Sequence, residues 1–107
     1  MTLSRRSVIA LLAALPVPFR ARAAATASVA IDNFTFAPGE LTVAPGTTVT
    51  WKNDDDIPHT VVAKDRSFRS KALDTGDAYA FTFPSAGRFE YFCSLHPHMV
   101  GTIVVAA

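Results

Sequence analysis

Residue types with an affinity for soft metals gather in two places along the chain. One is His59; the other is the run Cys93-Ser94-Leu95-His96-Pro97-His98-Met99. Cys93 is the only cysteine of the 107-residue sequence, and Met99 is the only methionine apart from Met1. Together with His96 they form a Cys-x-x-His-x-x-Met spacing. A thiolate, two imidazoles and a thioether suit copper, and a trigonal His₂Cys set with a long axial Met is an arrangement that moves electrons. Three such donors on one short segment need a fourth from elsewhere. His59 stands 34 residues before Cys93, beside a β-rich stretch that could neighbour the Cys93 strand.

Each of these residues alone has a blander account. A single Cys at a strand end is more often a small buried hydrophobe, and a single Met more often fills a core gap. A His next to Pro is usually a solvated loop residue. Their concurrence within so few positions weakens that account. Zinc also takes Cys and His, but its sites rarely use Met, and structural zinc sites bring more Cys or His at tight spacing.

Short strands must position these donors. Val29 and Ile31 alternate with polar neighbours, the phase slips at Asp32-Asn33, and it resumes at Phe34 and Phe36. A slip of this kind predicts a bulge or bend. Ala37-Pro38-Gly39 and Ala44-Pro45-Gly46 read as turns around a strand at 41–43. Thr47, Val49 and Trp51 alternate against Thr48, Thr50 and Lys52, and residues 59–63 read as a further β-rich stretch. Residues 64–77 are turn-like, with Phe68 as a lone core anchor. Tyr79, Phe81 and Phe83 then share a face, as do Phe89, Tyr91 and Cys93, and 100–105 closes the chain as a last strand after a ligand-bearing loop. Closely spaced strands without helical periodicity predict an all-β sandwich or barrel.

The length allows one domain, and no stretch is apolar for the roughly 18–20 residues that a membrane-crossing helix needs. With one Cys there is no intrachain disulfide, so a metal held only by the folded state would be a useful cross-link. The formal charge of +1 conceals an asymmetry. Ser4-Arg5-Arg6-Ser7, an apolar run from Val8 to Leu15 and the small-residue end Ala21-Arg22-Ala23 predict a cleaved export signal over residues 1–23. Ala23-Ala24-Ala25 is an equally good cut, and the arginine pair resembles a twin-arginine signal. A general secretory signal also fits. An amphipathic helix of the mature fold fits poorly, because Pro16 and Pro18 would break it. Beyond residue 23, six basic residues face nine acidic ones, a net charge of −3. That balance does not support a nucleic-acid surface.

The segment from Trp51 to Val61 together with Cys93 to Met99 resembles the cupredoxins, nearest their amicyanin and plastocyanin branch. The Pro58-His59 pair and the short Cys-x-x-His-Pro-x-Met segment carry the likeness most specifically. Phe34-Thr35-Phe36-Ala37-Pro38 and Val43-Ala44-Pro45-Gly46-Thr47 extend it over the whole of 24–107. Two departures stand out: the mature chain expected after residue 23 would be short beside amicyanin, without that protein's N-terminal extension, and His98 stands where an aromatic is common.

The resemblance implies a Greek-key β-sandwich (cupredoxin-like) as one domain over 24–107, with one type 1 copper at one end. His59, Cys93 and His96 would be its strong ligands and Met99 its axial one. Asn53 would tie its loop to the ligand loop through Ser94, and the Thr60 N–H would donate to the Cys93 thiolate. His96 would be the electron exit, within an apolar collar of Pro97, Ile57 and Pro38. Asp54-Asp55-Asp56 reads as a solvated turn, or as a steering patch for a basic partner. The expected function is a monomeric periplasmic electron carrier with transient redox protein partners, and not an enzyme. A copper-binding or copper-delivery protein on the same fold is the alternative. A small oxidase would need an open substrate position, a second metal or an acid–base pair, none of which the sequence offers.

Overall fold

Alternation builds the strands and decides which side chains reach the site. A computed structural model describes residues 25–107, so the export signal expected over 1–23 lies outside the described residues. In β4 (Thr47–Asn53), Thr47, Val49, Trp51 and Asn53 are buried while the residues between them face outward. The two-residue period of a strand thus delivers a polar side chain, Asn53, to the inner face at the strand's end. The other strands are β1 (Thr26–Asp32), β2 (Thr35–Ala37), β3 (Glu40–Val43), β5 (Val62–Ala63), β6 (Ala78–Phe83), β7 (Gly87–Cys93) and β8 (His96–Val105).

They form two four-stranded sheets, ordered β2-β1-β4-β6 and β3-β8-β7-β5. β1 runs parallel to β4 and β3 parallel to β8; the remaining neighbours are antiparallel. This is the expected all-β cupredoxin sandwich. Trp51, Tyr91, Phe36 and Phe83 fill its interior, all at most 1% exposed. Phe68 is the core anchor the sequence suggests, stacked on Trp51 at 5.7 Å between ring centroids. On the other sheet Tyr91 lies so close to Gly101 that a β-carbon there would collide with its ring and hydroxyl.

Three local features differ from the sequence reading. The phase slip after Ile31 is a tight hairpin turn, with Asn33 at φ 49° and Phe34 at φ 58°. This left-handed turn joins Asp32 to its partner Thr35 and leaves Phe34 exposed at its tip. The stretch at 59–63 is mostly not strand. Only Val62 and Ala63 pair with β7, while His59 bridges to Leu73.

The third difference bears on the site. The chain does not loop from Cys93 to Val100: Ser94-Leu95 make a two-residue turn, and β8 begins at His96, paired with Cys93. Phe92 pairs with Val100, so Pro97, His98 and Met99 are the surplus residues of a wide bulge. Such a bulge re-aims side chains while the flanking ladder holds the backbone.

Candidate metal centre

Two pieces of backbone meet at one end of the sandwich. The first is the loop after β4. Buried Asn53 donates its side-chain amide to the carbonyls of Ile57 at 2.8 Å and Leu73 at 2.9 Å. Its side-chain oxygen accepts the Asp55 N–H at 2.8 Å. One amide therefore folds the 54–57 turn and brings His59 inward. His59 is then fixed by backbone bonds to Leu73 in both directions, at 3.0 and 2.7 Å.

The second piece is the end of β7. Phe89 and Tyr91 seat this strand in the core, and Cys93 follows them on the same face, fully buried. Thr60 joins the two pieces. Its hydroxyl oxygen accepts the Ser94 N–H at 2.7 Å and lies 2.8 Å from the Ser94 hydroxyl. Its N–H points at the Cys93 sulfur from 3.4 Å. The tie to Ser94 expected of Asn53 thus comes from Thr60 instead, because Asn53 spends its side-chain hydrogen bonds on Asp55, Ile57 and Leu73.

The donor atoms converge. Nδ1 of His59 lies 3.7 Å and Nδ1 of His96 3.6 Å from Cys93 Sγ, and all three atoms fall within 4.8 Å of one another. His59 and Cys93 are buried and His96 is half-buried. Met99 is buried in the same core cluster and lines the cleft that also contains His96.

Asp55 is the residue that sequence reasoning missed. It sits in a run of three aspartates read as a solvated turn, and its neighbours Asp54 and Asp56 are exposed as expected. Asp55 itself is buried, with Oδ2 at 2.9 Å from His59 Nε2 and at 3.1 Å from the Phe34 N–H that donates to it. The hydrogen bond from His59, followed by that from Phe34, holds the Asp55 carboxyl down at about 2. An ionised carboxylate at Nε2 keeps a proton there, so a metal binds His59 through Nδ1. The signal for Asp55 was present in principle: a ligating His commonly passes its other N–H to a carboxylate, and Asp55 lies one helical turn's length before His59.

Burial pushes the Cys93 thiol up, but the Thr60 N–H, both imidazoles and the Leu95 N–H together outweigh it and bring the group to about 6. A thiolate is therefore favoured at neutral pH before any metal arrives. The donor set fits copper on its chemistry: one anionic sulfur, two imidazoles each presenting Nδ1, and a thioether close by.

The rim around His96 is apolar, though its members are not all those expected. Phe34, Leu95, Pro97, His98 and Met99 line it with His96, while Ile57 and Pro38 do not. Phe34 and Leu95 are about half exposed, at 52% and 51%. The Phe34 ring stands edge-on to both imidazoles, 5.0 Å from His96 and 5.7 Å from His59. Among the described residues no helix is long and apolar enough to cross a membrane.

Comparison with known proteins agrees with this geometry. A model of the cupredoxin-like domain matches residues 6–105. Amicyanin from Paracoccus versutus is 37% identical over 82 residues, covering 72% of this chain and 62% of that protein. Amicyanin from Paracoccus denitrificans is 34% identical over 95 residues, covering 82% of this chain and 72% of that protein. Among solved structures, a purple cupredoxin from Nitrosopumilus maritimus superposes with a TM-score of 0.73 at 35% identity. That match covers 75% of this chain and 99% of the other. Matched along nearly its whole length, and with a donor set suited to one copper, the chain belongs to the cupredoxin family.

Proposed function

We propose that this cupredoxin is an exported, periplasmic electron-transfer protein in which His59, Cys93, His96 and Met99 would hold one type 1 copper. The observation that carries the reading is the convergence of two Nδ1 atoms on a buried thiol whose surroundings are already fixed by hydrogen bonds. Copper in such a site supplies a one-electron Cu(II)/Cu(I) couple. The protein's part is to keep its donors still, because electron exchange is fast when the coordination hardly changes. Asn53 and Asp55 fix the His59 side, Thr60 and Ser94 fix the Cys93 side, and the β7–β8 pairing fixes His96. Pro58 and Pro97 each restrict the backbone next to a ligating His.

His96 is the one imidazole of the set that reaches the surface, so it is the exit. The small apolar rim formed with Phe34 and Leu95 favours brief docking by redox proteins over a permanent complex. The export reading rests on residues 1–23. The chain acts as a monomer and performs no catalysis of its own.

The test is a visible and EPR spectrum, with voltammetry, of residues 24–107 after one equivalent of Cu(II). An intense thiolate-to-copper band and a reversible couple are expected, both absent from Cys93→Ser. A pale protein with an exchange-labile ion would support copper delivery instead. Full colour in Cys93→Ser would overturn the ligand assignment.

A further inference from the structure

Beyond residue 24 the chain has six cationic side chains, and four of them, Lys64, Arg66, Arg69 and Lys71, fall within eight positions. Only Asp65 offsets them there, although the surrounding domain is net acidic. The cluster lies on a hairpin that is firmly held. Ala63 N–H donates to the Phe68 carbonyl at 2.9 Å and Arg66 N–H to the Ala63 carbonyl at 3.1 Å. Phe68 is buried in the core, and Arg69 N–H reaches the Tyr79 hydroxyl at 3.2 Å.

Between this hairpin and β7 lies a cleft of about 410 Å³. Lys64, Arg66 and Arg69 form its wall, Val62 and Phe92 supply apolar surface, and Ser94 lies at its end. No carboxylate lines it. Lys64 is shared with Glu90 at 3.5 Å, but Arg66 and Arg69 form no ion pair among the described residues. Phe92 and Ser94 are the chain neighbours of Cys93. The cleft therefore runs along the backbone at Cys93, whose own side chain does not line it, and it shares no lining residue with the apolar rim at His96.

We propose that the Lys64–Arg66–Arg69 cleft is a second docking surface, which receives the carboxylate-bearing surface of a protein redox partner beside Cys93. Charge complementarity selects the partner. Two arginines with free planar forks suit paired carboxylates, and the half-buried Phe92 ring gives an apolar floor that a lone inorganic anion would not need. The inference rests on the electron-carrier reading. A one-electron-oxidised partner seated here takes one electron from the reduced centre, with no bond made or broken and no proton moved.

Poly-L-glutamate serves as the probe of an acidic protein surface, titrated into the isotope-labelled Cu(I) protein at low salt. Amide shifts are expected to concentrate at residues 62–69 and 92–94. Arg66→Glu/Arg69→Glu should weaken binding by roughly tenfold or more, whereas Lys52→Glu/Arg88→Glu, with the same change in net charge, should not. Oxidation by hexacyanoferrate(III) adds a redox readout: poly-L-glutamate should slow it in the native protein and not in the Arg66/Arg69 variant. Shifts centred on Phe34, Leu95 and His96, or equal weakening by both double variants, would overturn the proposal while leaving a reversible copper couple intact. Loss of that couple in the native protein would remove the carrier reading, and the docking proposal with it.

Discussion

The carboxylate of Asp55 lies 2.9 Å from Nε2 of His59, with both side chains almost wholly buried. The same oxygen accepts the N–H of Phe34, 21 residues earlier in the chain. One carboxylate thus connects the β1–β2 turn to a metal-binding imidazole and keeps a proton on its Nε2, so that a metal binds at Nδ1. Asp55→Asn keeps the shape and removes the charge. Copper affinity should fall by roughly tenfold or more, as for other groups that orient a ligating His. The reduction potential should rise, because a negative charge near the centre favours Cu(II). A competition titration and voltammetry check both, and an unchanged potential would show that the carboxylate only fills space.

Phe34 occupies a backbone conformation that bulky residues seldom adopt, yet its ring meets both imidazoles edge-on. Edge-to-face aromatic contacts are worth about 0.5–1.5 kcal/mol beyond the area they bury. Phe34→Gly relieves the turn while deleting the ring, so global stability should change little. Electron self-exchange should nevertheless slow, since the apolar rim at His96 is cut back; Leu95→Glu should slow it further. Stopped-flow or NMR exchange rates with an unaltered visible spectrum would place the effect in docking. An unchanged rate in both variants would exclude the rim from docking.

Removing the metal exposes the chemistry of Cys93. Its thiol is brought down to about 6 in the fold, against about 8.5 for an unperturbed Cys. A depressed group contributes stability that is complete above the unfolded value and is lost as pH falls through the folded one. Apo-protein stability should therefore rise across the window from about pH 6 to about pH 8.5. Urea midpoints of apo wild type and apo Cys93→Ala across that range test it. Parallel curves would count against a preformed thiolate.

Gly101 lies against the ring of Tyr91, where a methyl group has no room. Gly101→Ala should destabilise the protein by about 1–3 kcal/mol, the usual cost of overpacking. Thermal or urea unfolding measures the loss, and pairing it with Tyr91→Leu should recover part of it. Additive losses would point to the backbone at Gly101 rather than to the ring.

The sandwich was legible because alternation is a local property. Thr47, Val49 and Trp51 declare an inner face without reference to any other strand, as do Phe89, Tyr91 and Cys93. The donor types were legible for a similar reason: a lone Cys with His96 and Met99 at short spacing has few other uses. Contacts between distant segments were not legible. Asp55 looks like its neighbours Asp54 and Asp56, and only the turn folded by Asn53 puts the middle carboxylate inside. Phe34 looks like the next residue of an apolar face, and only the left-handed hairpin turns it outward over His96. By itself the sequence determined an all-β chain carrying one soft-metal donor set. Tertiary structure alone decided which nitrogens face the sulfur, which aspartate is buried, and that Lys64, Arg66 and Arg69 line one cleft with Phe92 and Ser94. Those outcomes depend on strand register and on the packing of one sheet over the other, which no short stretch of sequence encodes.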